Sequence, residues 1–200
     1  MKAQNTTVNV MVDLETTGKA PGCGILTIGA VVFDLENPAT FKYDTSFYIH
    51  VDAESNLDVG LAHDSDTIKW WLEQSKEAYQ EAWESPFKQH LAVALNKFSM
   101  FLEQLHAEEV IVWANGADFD FPILKAAYEA VEIPYPISYR NVRCYRTLKN
   151  LFPYVKAEEF TDGIKHNAFW DAKYQARHAA TLLEWSRRFQ KAEAPVWAPV

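Results

Sequence analysis

Apolar and polar residues alternate at Val8-Asn9-Val10-Met11-Val12 before the chain reaches Asp13, the pattern of a strand that carries carboxylates at its end. Residues two apart on a strand share a face, so Asp13 and Glu15 point the same way. Gly18, Pro21, Gly22 and Gly24 mark the following turn. The run Ile25–Phe33 reads as a buried second strand and Thr45–Val51 as a third, and the short connections predict an antiparallel meander. Thr67 is placed to cap a helix reaching about Trp83. Ser85-Pro86 offers an N-cap followed by proline at the first helical position, which predicts a long helix to Leu105. Val110–Ala114 is short and apolar, as a central strand is. A helix from about Phe121 to Val131 is broken by Pro134 and Pro136, a short strand and helix fit within 138–151, and a last helix runs from about Asn167 to Phe189. Residues 192–200 read as an irregular, Pro-rich tail. Strands in a meander followed by strands alternating with helices predict a mixed sheet flanked by helices, with the first and fourth strands adjacent at its centre.

The 200 residues are 48% hydrophobic, which predicts one domain, 1–200, with a core large enough to fold alone. No stretch of about 18 apolar residues occurs, so no membrane span is expected. The polar start, Met1 to Thr7, does not read as a signal peptide. The two cysteines, Cys23 and Cys144, suggest neither a disulfide framework nor a zinc site, and a cytoplasmic location is the default. A net charge of −8 weighs against non-specific nucleic-acid binding. Basic residues nevertheless gather late, at Arg140, Arg143, Arg146 and Lys149 and again from Lys165 to Lys191, as a solvated helix face or a nucleic-acid contact.

The candidate chemistry lies in Asp13-Leu14-Glu15-Thr16-Thr17-Gly18, in Asn115-Gly116-Ala117-Asp118-Phe119-Asp120, and in His166-Asn167-Ala168-Phe169-Trp170-Asp171. Taken singly, Asp13 and Glu15 read more often as a strand-end turn with a capping role, and His166 as a surface histidine. If they converge, carboxylates in apolar surroundings repel one another and need positive charge between them, for which hard divalent cations with oxygen ligands are suited. His166 and Asp171 are five residues apart, which on one helix turns them about 140° from each other. His166 therefore belongs in the loop before the last helix and Asp171 on its first turns.

These three segments, in this order, resemble the exonuclease motifs of the DEDD superfamily in its histidine-bearing (DEDDh) branch. Thr67-Ile68-Lys69-Trp70-Trp71-Leu72, Val112-Trp113-Ala114-Asn115-Gly116 and Arg146-Thr147-Leu148 are similar to a narrower bacterial and phage group, that of the mycobacterial adenylate-preferring exoribonuclease. The resemblance implies an α/β, ribonuclease H-like fold with a mixed five-stranded sheet. It implies hydrolysis of phosphodiester bonds at the 3′ ends of single-stranded RNA or DNA by a two-metal-ion mechanism. Asp13, Glu15, Asp120 and Asp171 would hold two Mg²⁺, with Mn²⁺ as substitute, and His166 would be the general base. Thr16, Thr17, Trp70, Asn115 and Arg146 would contact substrate. Asp118 rivals Asp120, but the motif spacing favours the acid directly after Phe119. Trp70 and Trp71 point about 100° apart on a helix, so one is expected to face substrate and the other the core. Trp170 and Cys144 depart from residues common in the group. The narrower resemblance alone admits a homodimer.

Two other readings stand beside this one. A non-catalytic nucleic-acid-binding module on the same fold would keep binding when Asp13 is removed. A phosphatase forming an aspartyl-phosphate at Asp13 usually has a second Asp where Glu15 stands.

Overall fold

The computed structural model describes residues 7–35, 45–159 and 161–192, with side chains to residue 188. Apart from Ala192, the irregular tail expected at 192–200 lies outside the described residues. The sheet has five strands, β1 (Thr7–Thr16), β2 (Ile25–Phe33), β3 (Ser46–His50), β4 (Glu109–Ala114) and β5 (Val142–Cys144), in the order β3-β2-β1-β4-β5. β1 runs antiparallel to β2 and β2 to β3, as the short connections require. β1–β4 and β4–β5 are parallel, so the carboxyl ends of β1 and β4 open at one edge. In open sheets that edge is where ligands bind.

The strict alternation of β1 divides the core. Val10, Val12 and Leu14 pack in one cluster with Leu95, Phe98, Ile123 and Leu124, from α4 (Leu91–Glu103) and α5 (Asp120–Ala130). Met11 packs in a second cluster with Trp113, Val31 and the alanines of α7 (Ala168–Ala192), namely Ala172, Ala176, Ala179 and Ala180. Asp13 and Glu15 share Met11's parity, and therefore its α7 face. The alanine stripe lets α7 lie close to the sheet.

Three other helices are α1 (Ala53–Asp58), α2 (Ser65–Leu72) and α3 (Lys76–Trp83), with α6 (Tyr145–Leu151) following β5. The helix expected over 67–83 is two helices. Asp64, not Thr67, caps α2 by accepting from Thr67 N–H, and Ser75 accepts from Ala78 N–H to start α3. A serine hydroxyl offers backbone N–H groups an alternative to the helical ladder, and here it resets the chain. The long helix expected from Ser85 begins instead at Leu91, capped by His90. Gln89 pairs its backbone with His50 and Asp52, and this bridge outweighs the Ser-Pro signal. α1 is a six-residue turn of helix with little apolar periodicity to mark it in the sequence. Among the described residues no helix is long and apolar enough to cross a membrane.

Candidate active site

Three elements bring the acidic residues together. β1 supplies Asp13 and Glu15, the first residue of α5 is Asp120, and the first turn of α7 holds Asp171. Asp120 is 3% exposed, whereas Asp118 is exposed. No side-chain hydrogen bond caps α5, so Asp118 does not cap it. His166 stands in the loop before α7 with a left-handed backbone (φ 58°). One ligating atom each of Glu15, His166 and Asp171 lies within 4.8 Å of the other two. The His166 backbone N–H also faces the Asp171 carboxylate closely enough to moderate its proton affinity.

Glycine makes this convergence possible. Gly29 of β2 pairs directly with Asp13 on one side and Tyr48 on the other. A Cβ on Gly29 would lie 2.2 Å from the carbonyl carbon of Ala168. The first turn of α7 therefore rests on bare backbone between Tyr48 and Asp13. Asn167 caps that turn, its Oδ1 accepting from Phe169 N–H (3.1 Å) and Trp170 N–H (3.2 Å).

Burial raises the proton affinity of the whole cluster. Asp13 is held well above the usual carboxylate range, first by burial and then by Asp120, Glu15 and Asp171, with the Gln175 amide pulling the other way. Burial, then Asp171 and Asp120, raise Glu15 likewise. Asp120 is pushed up to about 7 by burial, against the backbone N–H groups of Leu14 and Asp120 and the charge of Arg146. Asp171 reaches about 6 by burial, moderated by the His166 N–H and Lys165. Four acids that hold protons against one another fit a site built for positive ions, and their all-oxygen donor set suits Mg²⁺ or Mn²⁺. Burial, and then Lys165, lowers His166, which keeps its imidazole neutral at neutral pH and able to accept a proton.

The residues expected to touch substrate divide. Trp70 is 38% exposed and stands edge-on to His166, with ring centres 4.9 Å apart. Trp71 is buried, and its indole N–H donates to the Thr16 carbonyl (2.9 Å), tying α2 to the end of β1. Asn115 and Arg146 meet: Arg146 donates to the Asn115 carbonyl (2.6 Å), and Lys149 to its side-chain oxygen (3.2 Å). Gly116, at φ +120°, lies against the same guanidinium. Thr16 donates to Gly18 O (2.7 Å). Thr17 is fully buried and bonds to Gly24 and Ala62, so its hydroxyl builds the loop and faces no open groove. The late basic run also divides, since Arg177 pairs with Glu158 (2.5 Å) and Arg188 with Glu184.

Gln175 escaped the sequence reading. Its amide donates to Asp13 Oδ1 (2.7 Å), while its own Oε1 is buried with no hydrogen-bond partner among the described residues. Its signal was available, because it lies four residues after Asp171 and hence on the same helix face.

Among solved structures the fold is similar to cell-death related nuclease 4 (CRN-4), with TM-score 0.57 and 15% identity over 91% of this chain and 64% of that one. It is also similar to the nuclease domain of 3′hExo, described as a DEDDh family member bound to rAMP, with TM-score 0.56 and 14% identity over 88% and 92%. A third likeness is E. coli exonuclease I in complex with an oligonucleotide, with TM-score 0.57 and 16% identity over 94% and 42%. The fold is thus the ribonuclease H-like fold of the DEDDh exonucleases, and this chain spans under two thirds of the length of CRN-4 and of exonuclease I. No curated protein sequence gives a significant match. Residues 8–183 match the model of the Rv2179c-like 3′–5′ exoribonuclease domain, and the chain belongs to that family.

Proposed function

We propose that this chain removes nucleotides from the 3′ ends of single-stranded nucleic acid, RNA before DNA, in a reaction that depends on divalent metal ions. The observation that carries the reading is the meeting of Asp13, Glu15, Asp120 and Asp171 beside a neutral His166 at the carboxyl edge of β1 and β4. The four carboxylates would hold two Mg²⁺ or Mn²⁺. Such ions, when bound, stabilise charge on the phosphate and the leaving oxygen and make a water more acidic. His166 takes the proton from the attacking water, for which its imidazole is held in the neutral form and stands beside Glu15 and Asp171. The exposed Trp70 offers a stacking face for a terminal base, an interaction worth about 1–3 kcal/mol. Arg146 and Lys149, converging on Asn115, supply positive charge for the phosphate backbone. RNA is preferred in this reading because the family is one of exoribonucleases.

The test offers matched 5′-labelled RNA and DNA oligonucleotides with Mg²⁺, with Mn²⁺ and with EDTA. A ladder shortening from the 3′ end, abolished by EDTA and by Asp13→Ala, is expected. An intact oligonucleotide at every Mn²⁺ concentration would refute the reading. Binding that survives Asp13→Ala without any cleavage by the parent protein would point to the non-catalytic module.

A further inference from the structure

A second polar cluster lies behind the site, on the far side of Gly29 from Asp13. Oε1 of Glu81, on α3, is within hydrogen-bond distance of three groups: Tyr48 O–H (2.9 Å), His50 Nε2 (2.9 Å) and Asn167 Nδ2 (2.9 Å). Asn167 Nδ2 also donates to the Tyr48 oxygen (3.0 Å). With its Oδ1 capping α7 through two N–H groups, the Asn167 amide makes four hydrogen bonds, all the partners its donors and acceptor can hold. Asn167 is thereby fixed to α3 and β3 at one end and to α7 at the other. It directly follows His166, and its carbonyl accepts the Asp171 N–H (3.0 Å).

We propose that Glu81 is a positioning residue for His166 and Asp171, acting through Asn167. Its carboxylate, with Tyr48, sets the rotamer of Asn167, and that rotamer sets where the left-handed His166 leaves the loop and where α7 begins. The position of the Glu81 side chain separates this part from core packing: it is 27% exposed, on the surface of α3, so shortening it opens no core cavity. Hydrogen bonds to an ionised acceptor are the strong ones, which suits a carboxylate where an amide would hold less firmly.

The inference rests on the exonuclease reading, and the experiment separates the two. Wild type, Glu81→Ala, Glu81→Gln and Tyr48→Phe are compared for kcat and KM on a 5′-labelled RNA oligonucleotide with Mg²⁺, and for thermal unfolding. Misplacing a reacting group by about 1 Å costs on the order of a hundredfold in rate. Glu81→Ala is expected to lower kcat by about tenfold to a hundredfold with KM within about twofold. Glu81→Gln, whose oxygen still accepts from Asn167 and Tyr48, is expected to recover most of that loss. Tyr48→Phe, which removes the hydroxyl that donates to Glu81 and accepts from Asn167 but leaves the ring, is expected to fall between them. An unchanged kcat in Glu81→Ala, a rise in KM alone, or equal losses in the Ala and Gln variants would overturn the proposal. Should Glu81→Ala fail to fold, the ordering of wild type, Gln and Phe decides. A wild-type protein that shortens no RNA condemns the exonuclease reading instead.

Discussion

Gly29→Ala is the sharpest test of how the site is assembled. The added Cβ would meet the Ala168 carbonyl carbon at 2.2 Å, its oxygen at 2.3 Å and Phe169 N at 2.4 Å. All three are backbone atoms at the start of a 25-residue helix, so no side chain can swing aside. Going from 2.2 Å to the 3.4 Å of an ordinary contact requires α7 and β2 to part by about 1.2 Å. If the elements hold, the overpacking costs about 1–3 kcal/mol. At roughly 2–4 °C per kcal/mol for a chain of this size, that is a fall in Tm of about 2–12 °C. If they part, Asp171 and the His166 loop move away from Asp13 and Glu15, and a displacement of about 1 Å costs on the order of a hundredfold in rate, or about 2.7 kcal/mol. Thermal unfolding and single-turnover cleavage of a 5′-labelled oligonucleotide measure the two responses. Wild-type Tm together with wild-type rate would show that α7 does not rest on Gly29, and the account of convergence given above would fail.

Other outcomes follow from the same geometry. His166→Ala should reduce the single-turnover rate by about 10²–10⁴-fold and leave oligonucleotide affinity nearly unchanged; equal losses in both would refute the general-base part. In EDTA, acids whose proton affinity is raised by folding bind more protons folded than unfolded, so their contribution to stability is fully present below about pH 4 and should be lost as pH rises toward about 7, through the values near 6 for Asp171 and 7 for Asp120. Mg²⁺ should reverse that decline at pH 7, and a Tm indifferent to both pH and Mg²⁺ would count against a buried acidic cluster. Trp71→Phe removes the donor to the buried Thr16 carbonyl and should cost about 1–3 kcal/mol of stability. Trp70→Ala should weaken oligonucleotide binding with little effect on Tm, and the reverse pattern for the two tryptophans would invert their assignment.

Much of the site was legible because local periodicity encodes it. The two-residue alternation of β1 puts Asp13 and Glu15 on Met11's face whatever the strand packs against. The five-residue gap from His166 to Asp171 forces one into the loop and the other onto the helix, as observed. Asn167 is a helix cap by residue type alone, and adjacent tryptophans cannot both face inward on one helix. Competition between local signals was not legible. Thr67 and Ser85 each carry a helix-start signal, yet Asp64, Ser75 and the Gln89 bridge prevail because they satisfy backbone groups more completely in the folded chain.

The sequence by itself determined which groups could do the chemistry, which strand face and helix turn present them, and the order of the elements. The tertiary structure alone decided that α7 lies on Gly29, that Gln175 reaches Asp13, that Thr17 turns inward, and that Glu81 holds the residue next to His166. Those contacts join Gly29 to Ala168, Asp13 to Gln175 and Glu81 to Asn167, far apart along the chain. Periodicity reports only what near neighbours impose on one another, whereas these pairings are fixed when packed elements exclude water and buried polar groups pair with one another.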